Sequence, residues 1–398
     1  MEFRFLRESL KIAIRKQKMK KENTCAETIV KQVCKIKKNE KVLIVANPET
    51  SEIAEEIYQA VNGTGANPSL IYQNVKTSFD AAEDAVLGAI KSEPDVMFSI
   101  SHQKLGKDPH AAAEPYTAEN GTKYDHIFDY LLSGKKTMRA VWTPGLTRDM
   151  FERTANIDYA ELAGRCRKLS AKFKDAVSVK VTAPGGTDLT VPVKGRAPLS
   201  DDGDFSKPGT GGNIPAGEVF ISPVVGSGNI KDKKTQQKEN PHTGCQGTIV
   251  YDGSMTFSDG DSIIETPITV KVEDGFVTSV EGGAEAKRLL KSITDAETKA
   301  LQMEKEGKLP EGMGETYRRN ARNIGELGIG LNPAAIIGGN MLEDEKAFRT
   351  CHFAIGANYD DDAPALIHLD GVVRTPTIVI NYSDGTSFTA LENGTLKI

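Results

Sequence analysis

Residues 41–74 read KVLIVANPETSEIAEEIYQAVNGTGANPSLIYQN. The opening KVLIVAN (41–47) is a short apolar run rich in β-branched side chains, as in a strand buried on both faces. SEIAEEIYQAV (51–61) carries its apolar residues at helical spacing, and PSLIYQN (68–74) reads as a second strand. On either side the alternation continues. AETIVKQVCKIKK (26–38) and FDAAEDAVLGAIKS (79–92) have helical spacing, while DVMFSIS (95–101) and TMRAVWT (137–143) read as further strands. Strands alternating with helices of this length predict βαβ units and a parallel sheet flanked by helices.

Such sheets bind nucleotides at strand C-termini, but here those ends read NPETS and ISHQK, with no Gly-x-Gly-x-x-Gly after a strand. The Gly-rich GTGGN (209–213) neither follows a strand nor opens a helix, and it reads as a flexible entry to the next strand. A helix over 157–176 crosses to a stretch of different texture. SVKVTAPGGTDLTVPV (178–193) is two alternating runs joined by Pro-Gly-Gly, a hairpin signature. GEVFISPVV (217–225), GTIVYDG (247–253), ITVKVEDGFVTSV (268–280) and TPTIVINYSDGTSFTAL (375–391) are strand-and-turn segments, and one long helix runs from about Ala284 to Gly307. NIKDKKTQQKENPHTG (229–244) reads as an exposed polar loop. The expected fold is an α/β domain with a parallel sheet over 1–170, followed by an antiparallel-rich α+β domain over 171–398.

With 398 residues, 38% of them apolar and 26% charged, the chain can bury a sizeable core, and two or three domains are expected. The net charge of −5 argues against a chain-wide footprint for nucleic acid. No apolar run approaches the roughly 20 residues needed to span a bilayer. The basic N-terminus MEFRFLRESLKIAIRKQKMKKE has no continuous apolar stretch or cleavage site, so it reads as a solvated first helix rather than a secretory signal. Five scattered cysteines without a CxxC pair suit a reducing compartment, so a cytoplasmic protein is expected.

Two of the six histidines fall in CHFAIGANYDDDAPALIHLD (351–370). In LIHLD the period of two places His368 and Asp370 on one face and Ile367 and Leu369 on the other. His352 opposes Cys351 and Phe353 in the same way, which argues against Cys351 as a nucleophile paired with His352. Imidazole and carboxylate together suit zinc, manganese, iron or cobalt, and a bound cation would offset the cost of burying them. Each piece has a blander alternative: a hydrogen-bonded core His, a solvated face for LEDEK (342–346), a turn-capping role for Glu326. Their clustering within 326–370 strengthens the metal reading. The remaining histidines, His102, His110, His126 and His242, sit in loop-like contexts. No Gly-x-Ser-x-Gly elbow occurs.

The ordered runs GEVFISP, ELGIGLNP, LEDEKAFRTCHFAIGANY and HLDG resemble the aminopeptidase T family of metallopeptidases. The resemblance implies two divalent metal ions (zinc, cobalt or manganese) on Glu218, Glu326, Glu345, His352, His368 and Asp370. Glu326 would bridge them and Tyr359 would be the catalytic tyrosine. Two extra residues intervene between Glu345 and His352, so Glu343 competes for that role. The segment after GEVF, ISPVVGSGNIKDKK, departs from the family's pattern and leaves substrate preference open. The dihydroxypyridine ring-cleaving dioxygenases resemble the same scaffold. They hold one iron, replace the first Glu, carry His in place of the ELGIG Glu and lack the first His, whereas this chain keeps Glu218, Glu326 and His352.

The expected function is therefore a metal-dependent aminopeptidase, with the iron dioxygenase as the alternative. A hydroxide activated by the two metal ions would attack the scissile amide, and Tyr359 would donate to the oxyanion. The expected substrate is a peptide or aminoacyl amide, with no nucleic-acid or membrane partner. The resemblance implies a homodimer.

Overall fold

The computed structural model describes residues 23–77, 80–227 and 243–398. The predicted N-terminal helix, most of the 229–244 loop, His242 and the start of the 79–92 helix lie outside the described residues.

Five strands form the expected parallel sheet, in the order Gly211–Asn213, Arg139–Trp142, Val96–Ile100, Lys41–Ala46, Asn67–Tyr72. Alternate residues of its central strands feed two cores. Val42, Ile44, Val96 and Phe98 pack with Ile53 and Ile57 of the helix Ser51–Asn62, and with Met150 and Phe151. Leu43, Val45 and Met97 pack with Val86, Leu87 and Ile90 of the helix Asp84–Lys91, and with Leu131. Burial on both faces explains why these strands read as continuous apolar runs.

The structure differs from expectation at two local points. The helix expected over 26–38 is one α-turn, Cys25–Thr28, running into a π-turn, Ile29–Val33. GTGGN is not a flexible entry: Gly211–Asn213 is the edge strand of the parallel sheet, paired with Ala140–Trp142. A side chain at Gly211 would meet the carbonyl of Ala140 at 2.5 Å, so only glycine lets these backbones approach.

The C-terminal region holds two antiparallel sheets. One has eight strands, in the order Phe276–Glu281, Ile268–Glu273, Gln246–Tyr251, Asp188–Pro192, Ala176–Thr182, Thr377–Tyr382, Ser387–Glu392, Thr395–Leu396. The other has seven, in the order Gly260–Ile263, Ser254–Phe257, His368–Arg374, Thr350–Gly356, Ile324–Gly330, Glu218–Ile221, Leu199–Asp201. Val181, Leu189, Ile249 and Ile380 from the first share a core with Val219, Leu327, Phe353 and Leu369 from the second. Gly371 lies against the Tyr251 ring, where a β-carbon would come within 2.4 Å. The helix Tyr159–Lys172, capped by Asp158, contributes Leu162, Cys166 and Leu169 to this core. The long helix spans Ala284–Lys305. Among the described residues no helix is long and apolar enough to cross a membrane. All five cysteines are free.

Candidate metal centre

The seven-stranded sheet has one face committed to the core and one that carries the polar residues. Cross-strand pairing sets Glu218 opposite Gly330, Gly328 opposite His352, Glu326 opposite Ala354, Ala354 opposite Asp370, and Gly356 opposite His368. With side chains alternating along each strand, Glu218, Glu326, His352, His368 and Asp370 all project from the same face. Cys351, Phe353 and Leu369 take the other face. Two glycines make room. A β-carbon at Gly328 would lie 1.9 Å from His352 Nε2, and one at Gly330 would lie 2.1 Å from the carbonyl oxygen of Ala347. The bare backbone at Gly330 is what allows the Glu345–Ala347 segment to cross the sheet beside Glu218.

Glu326 stands between the two imidazoles. Its Oε1 is 3.2 Å from His352 Nε2 and its Oε2 is 3.0 Å from His368 Nε2. His352 Nε2 is also 3.4 Å from Glu218 Oε2, and His368 Nε2 is 3.4 Å from Asp370 Oδ1. The His368 ring is oriented by its Nδ1, 2.8 Å from the carbonyl of Ala357. The six residues fall into two trios, Glu218–Glu345–His352 and Glu326–His368–Asp370, each with ligand atoms within 4.8 Å of one another. Either trio could hold a metal ion. Glu218 Oε2 and Asp370 Oδ1 are buried with no hydrogen-bond partner, as is His352 Nδ1. Buried carboxylate oxygens left this way are costly unless a cation completes them, so the residues present fit a metal ion.

The charges interact strongly. Burial alone would raise the Glu326 carboxyl, but hydrogen bonds from His352 and His368 hold it well below the usual range. Burial alone would lower both imidazoles, yet neighbouring carboxylates raise them, with Glu326 the main cause at His352 and Asp370 at His368. Burial pushes the Glu345 carboxyl up, against the pull of Lys346.

Glu343, the competitor for the third carboxylate, is committed elsewhere. It pairs with both terminal guanidinium nitrogens of Arg153 and accepts the Ile336 N–H. Leu342, Glu343, Asp344 and Lys346 are all buried, so LEDEK is not a solvated face. Tyr359 is 53% exposed, and its ring lies 5.3 Å from that of His368 and 5.0 Å from that of Phe220. Its N–H donates to Ser222 Oγ at 3.2 Å. Arg196, 2.6 Å from Asp362 and 3.5 Å from Asp360, holds the loop that presents it. Desolvation of the phenol, reinforced by the charges of Glu326 and Asp370, raises its pKa. His102, His110 and His126 lie apart from this centre; His126 caps a helical turn through Phe128 N–H.

Lys346 was missed by the sequence reading. Its amine is fully buried, 2.7 Å from Glu218 Oε1 and in contact with Glu345. The one available signal is a lysine inside an acidic run directly after a candidate ligand. Ser222 and Arg196 carry no local signal, since only the tertiary fold brings them to Tyr359.

No protein-family model matches the chain, and no curated protein matches it by sequence. Solved structures do resemble it. The 2,5-dihydroxypyridine dioxygenase of Pseudomonas putida matches with a TM-score of 0.63 at 16% identity, over 94% of this chain and 96% of that one. Wild-type AmpT of Thermus thermophilus, an aminopeptidase T, matches with a TM-score of 0.60 at 16% identity, over 94% of this chain and 98% of that one. The chain thus shares its fold with both an aminopeptidase and a dioxygenase.

Proposed function

We propose that the chain is a metal-dependent hydrolase that cleaves an aminoacyl amide or the N-terminal residue of a peptide. The observation that carries this reading is Glu326 offering one oxygen toward each of two histidines, which groups it with His368 and Asp370 as a set that could hold a cation. A divalent ion held by Glu326, His368 and Asp370 would supply Lewis acidity and a water of lowered pKa.

The remaining work falls to the chain's own groups. Tyr359, set over the site by Ser222 and Arg196, donates its hydroxyl proton in a hydrogen bond to the developing oxyanion. Glu345, with one oxygen held by Lys346, would offer its other oxygen to the free amine of the substrate, which would favour N-terminal residues over internal bonds. Phe220, against the Tyr359 ring, lines the approach with an apolar surface.

A ring-cleaving oxygenase is the second reading. It is favoured by Lys346, whose amine lies against the first trio and leaves the second as the more open place for a single ion. One assay separates the two. Metal-free protein is loaded with zinc, manganese or cobalt and offered leucyl-p-nitroanilide and its N-acetylated counterpart. Cleavage of the free-amine substrate alone is expected. No hydrolysis with any metal, together with oxygen uptake on a dihydroxypyridine after iron loading, would overturn the hydrolase.

A further inference from the structure

Lys346 has no exposure to solvent, and its amine contacts two of the three residues in the Glu218–Glu345–His352 trio. A third carboxylate, Asp201, is paired across the sheet from Glu218 and is also buried. The lysine backbone is fixed on both sides: its N–H donates to Glu343 at 2.9 Å, and its carbonyl accepts from Asn332 N–H at 2.9 Å. Glu343 is in turn clamped by Arg153. The amine is therefore delivered to Glu218 by a rigid segment that crosses the sheet at Gly330.

The amine already holds one oxygen of Glu218 and one of Glu345, so an ion in this trio would have to share both carboxylates with it. Two cations sharing one buried cradle repel strongly, because little water screens them. An ammonium and a metal ion balance the same buried carboxylate charge, and a covalently attached cation need not be captured from solution. We infer that the side chain of Lys346 takes the place of one of the two cations, so that the chain binds a single divalent ion on Glu326, His368 and Asp370. The inference rests on the metal-dependent reading above and specifies how many ions that site takes. Lys346 is then a positioning residue: it holds Glu218 and Glu345 beside the ion without touching the reacting atoms.

The test is metal stoichiometry after equilibrium dialysis of chelator-stripped protein against zinc, with folding checked by circular dichroism. Wild type should bind one ion per chain. Lys346→Ala should bind two, because Glu218, Glu345 and His352 become free to ligate. Glu218→Gln, with the lysine in place, should still bind one. Two ions in the wild type, one in Lys346→Ala, or none in Glu218→Gln would each overturn the inference. Should the alanine variant fail to fold, the other two counts decide. No ion in the wild type would overturn the metal-dependent reading itself, a result distinct from two.

Discussion

Gly328 lies directly across the ladder from His352, and a β-carbon at 328 would come within 1.9 Å of the imidazole Nε2. The glycine is the space the ring occupies. Gly328→Ala should therefore displace His352 from Glu326, lower stability by about 1–3 kcal/mol through overpacking, and reduce activity at least tenfold. Denaturant titration and a steady-state assay check both parts. Unchanged activity would mean that the position of His352 is not critical.

The pH dependence of the metal-free protein follows from opposed shifts. Hydrogen bonds from His352 and His368 outweigh burial and bring Glu326 from 4.5 down to about 2, so its stabilisation is present above 4.5 and is lost as pH falls toward 2. His352 is raised from 6.5 to about 9, because its carboxylate partners outweigh burial; its stabilisation is present below 6.5 and is lost as pH rises through 9. Burial raises Glu345 from 4.5 to about 8, so it too costs stability as pH rises through that window. The melting temperature of chelator-treated protein should peak near about pH 5 and decline toward pH 9. Metal affinity should move the other way, rising with pH as the ligands shed protons. A melting temperature that stays flat from pH 5 to 9 would contradict the ionic account of the site.

Much of this was legible in the sequence because strand alternation reports which face a side chain takes. LIHLD fixes His368 and Asp370 on one face whatever the tertiary fold, and the apolar runs at 41–47 and 95–101 fit only a doubly covered sheet. The Gly211–Asn213 strand was not legible. It is three residues long, rich in glycine, and paired with a segment some 70 residues away, so neither propensity nor periodicity marks it. Lys346 was hidden for a different reason: its meaning depends on Gly330 letting its backbone cross the sheet, a contact that no local pattern encodes.

Tyr359→Phe keeps the ring against Phe220 and His368 and removes only the hydroxyl. If that hydroxyl donates to the oxyanion, kcat should fall by about 10²–10³ while metal content stays unchanged. A variant with wild-type kcat would remove Tyr359 from the chemistry.

Glu343 and Glu345 should behave differently despite being two residues apart. Glu343→Ala leaves the Ile336 N–H without its acceptor and Arg153 with only the exposed Asp149 as partner, and should cost about 1–3 kcal/mol of stability. Glu345→Gln should lower activity with a smaller change in stability. Thermal melts and kinetics on the pair distinguish a structural clamp from a site residue, and the reverse pattern would exchange the two assignments.

The most direct test of the central claim is metal content in the wild type and in Asp370→Asn, measured side by side after purification without added metal and after reconstitution. Asp370 Oδ1 is buried without a hydrogen-bond partner, 3.4 Å from His368 Nε2, and its substitution removes a ligand from the trio with Glu326. The account predicts a divalent ion bound by the wild type and lost from the variant. Equal metal content in the two proteins, or none in either after reconstitution, would contradict it.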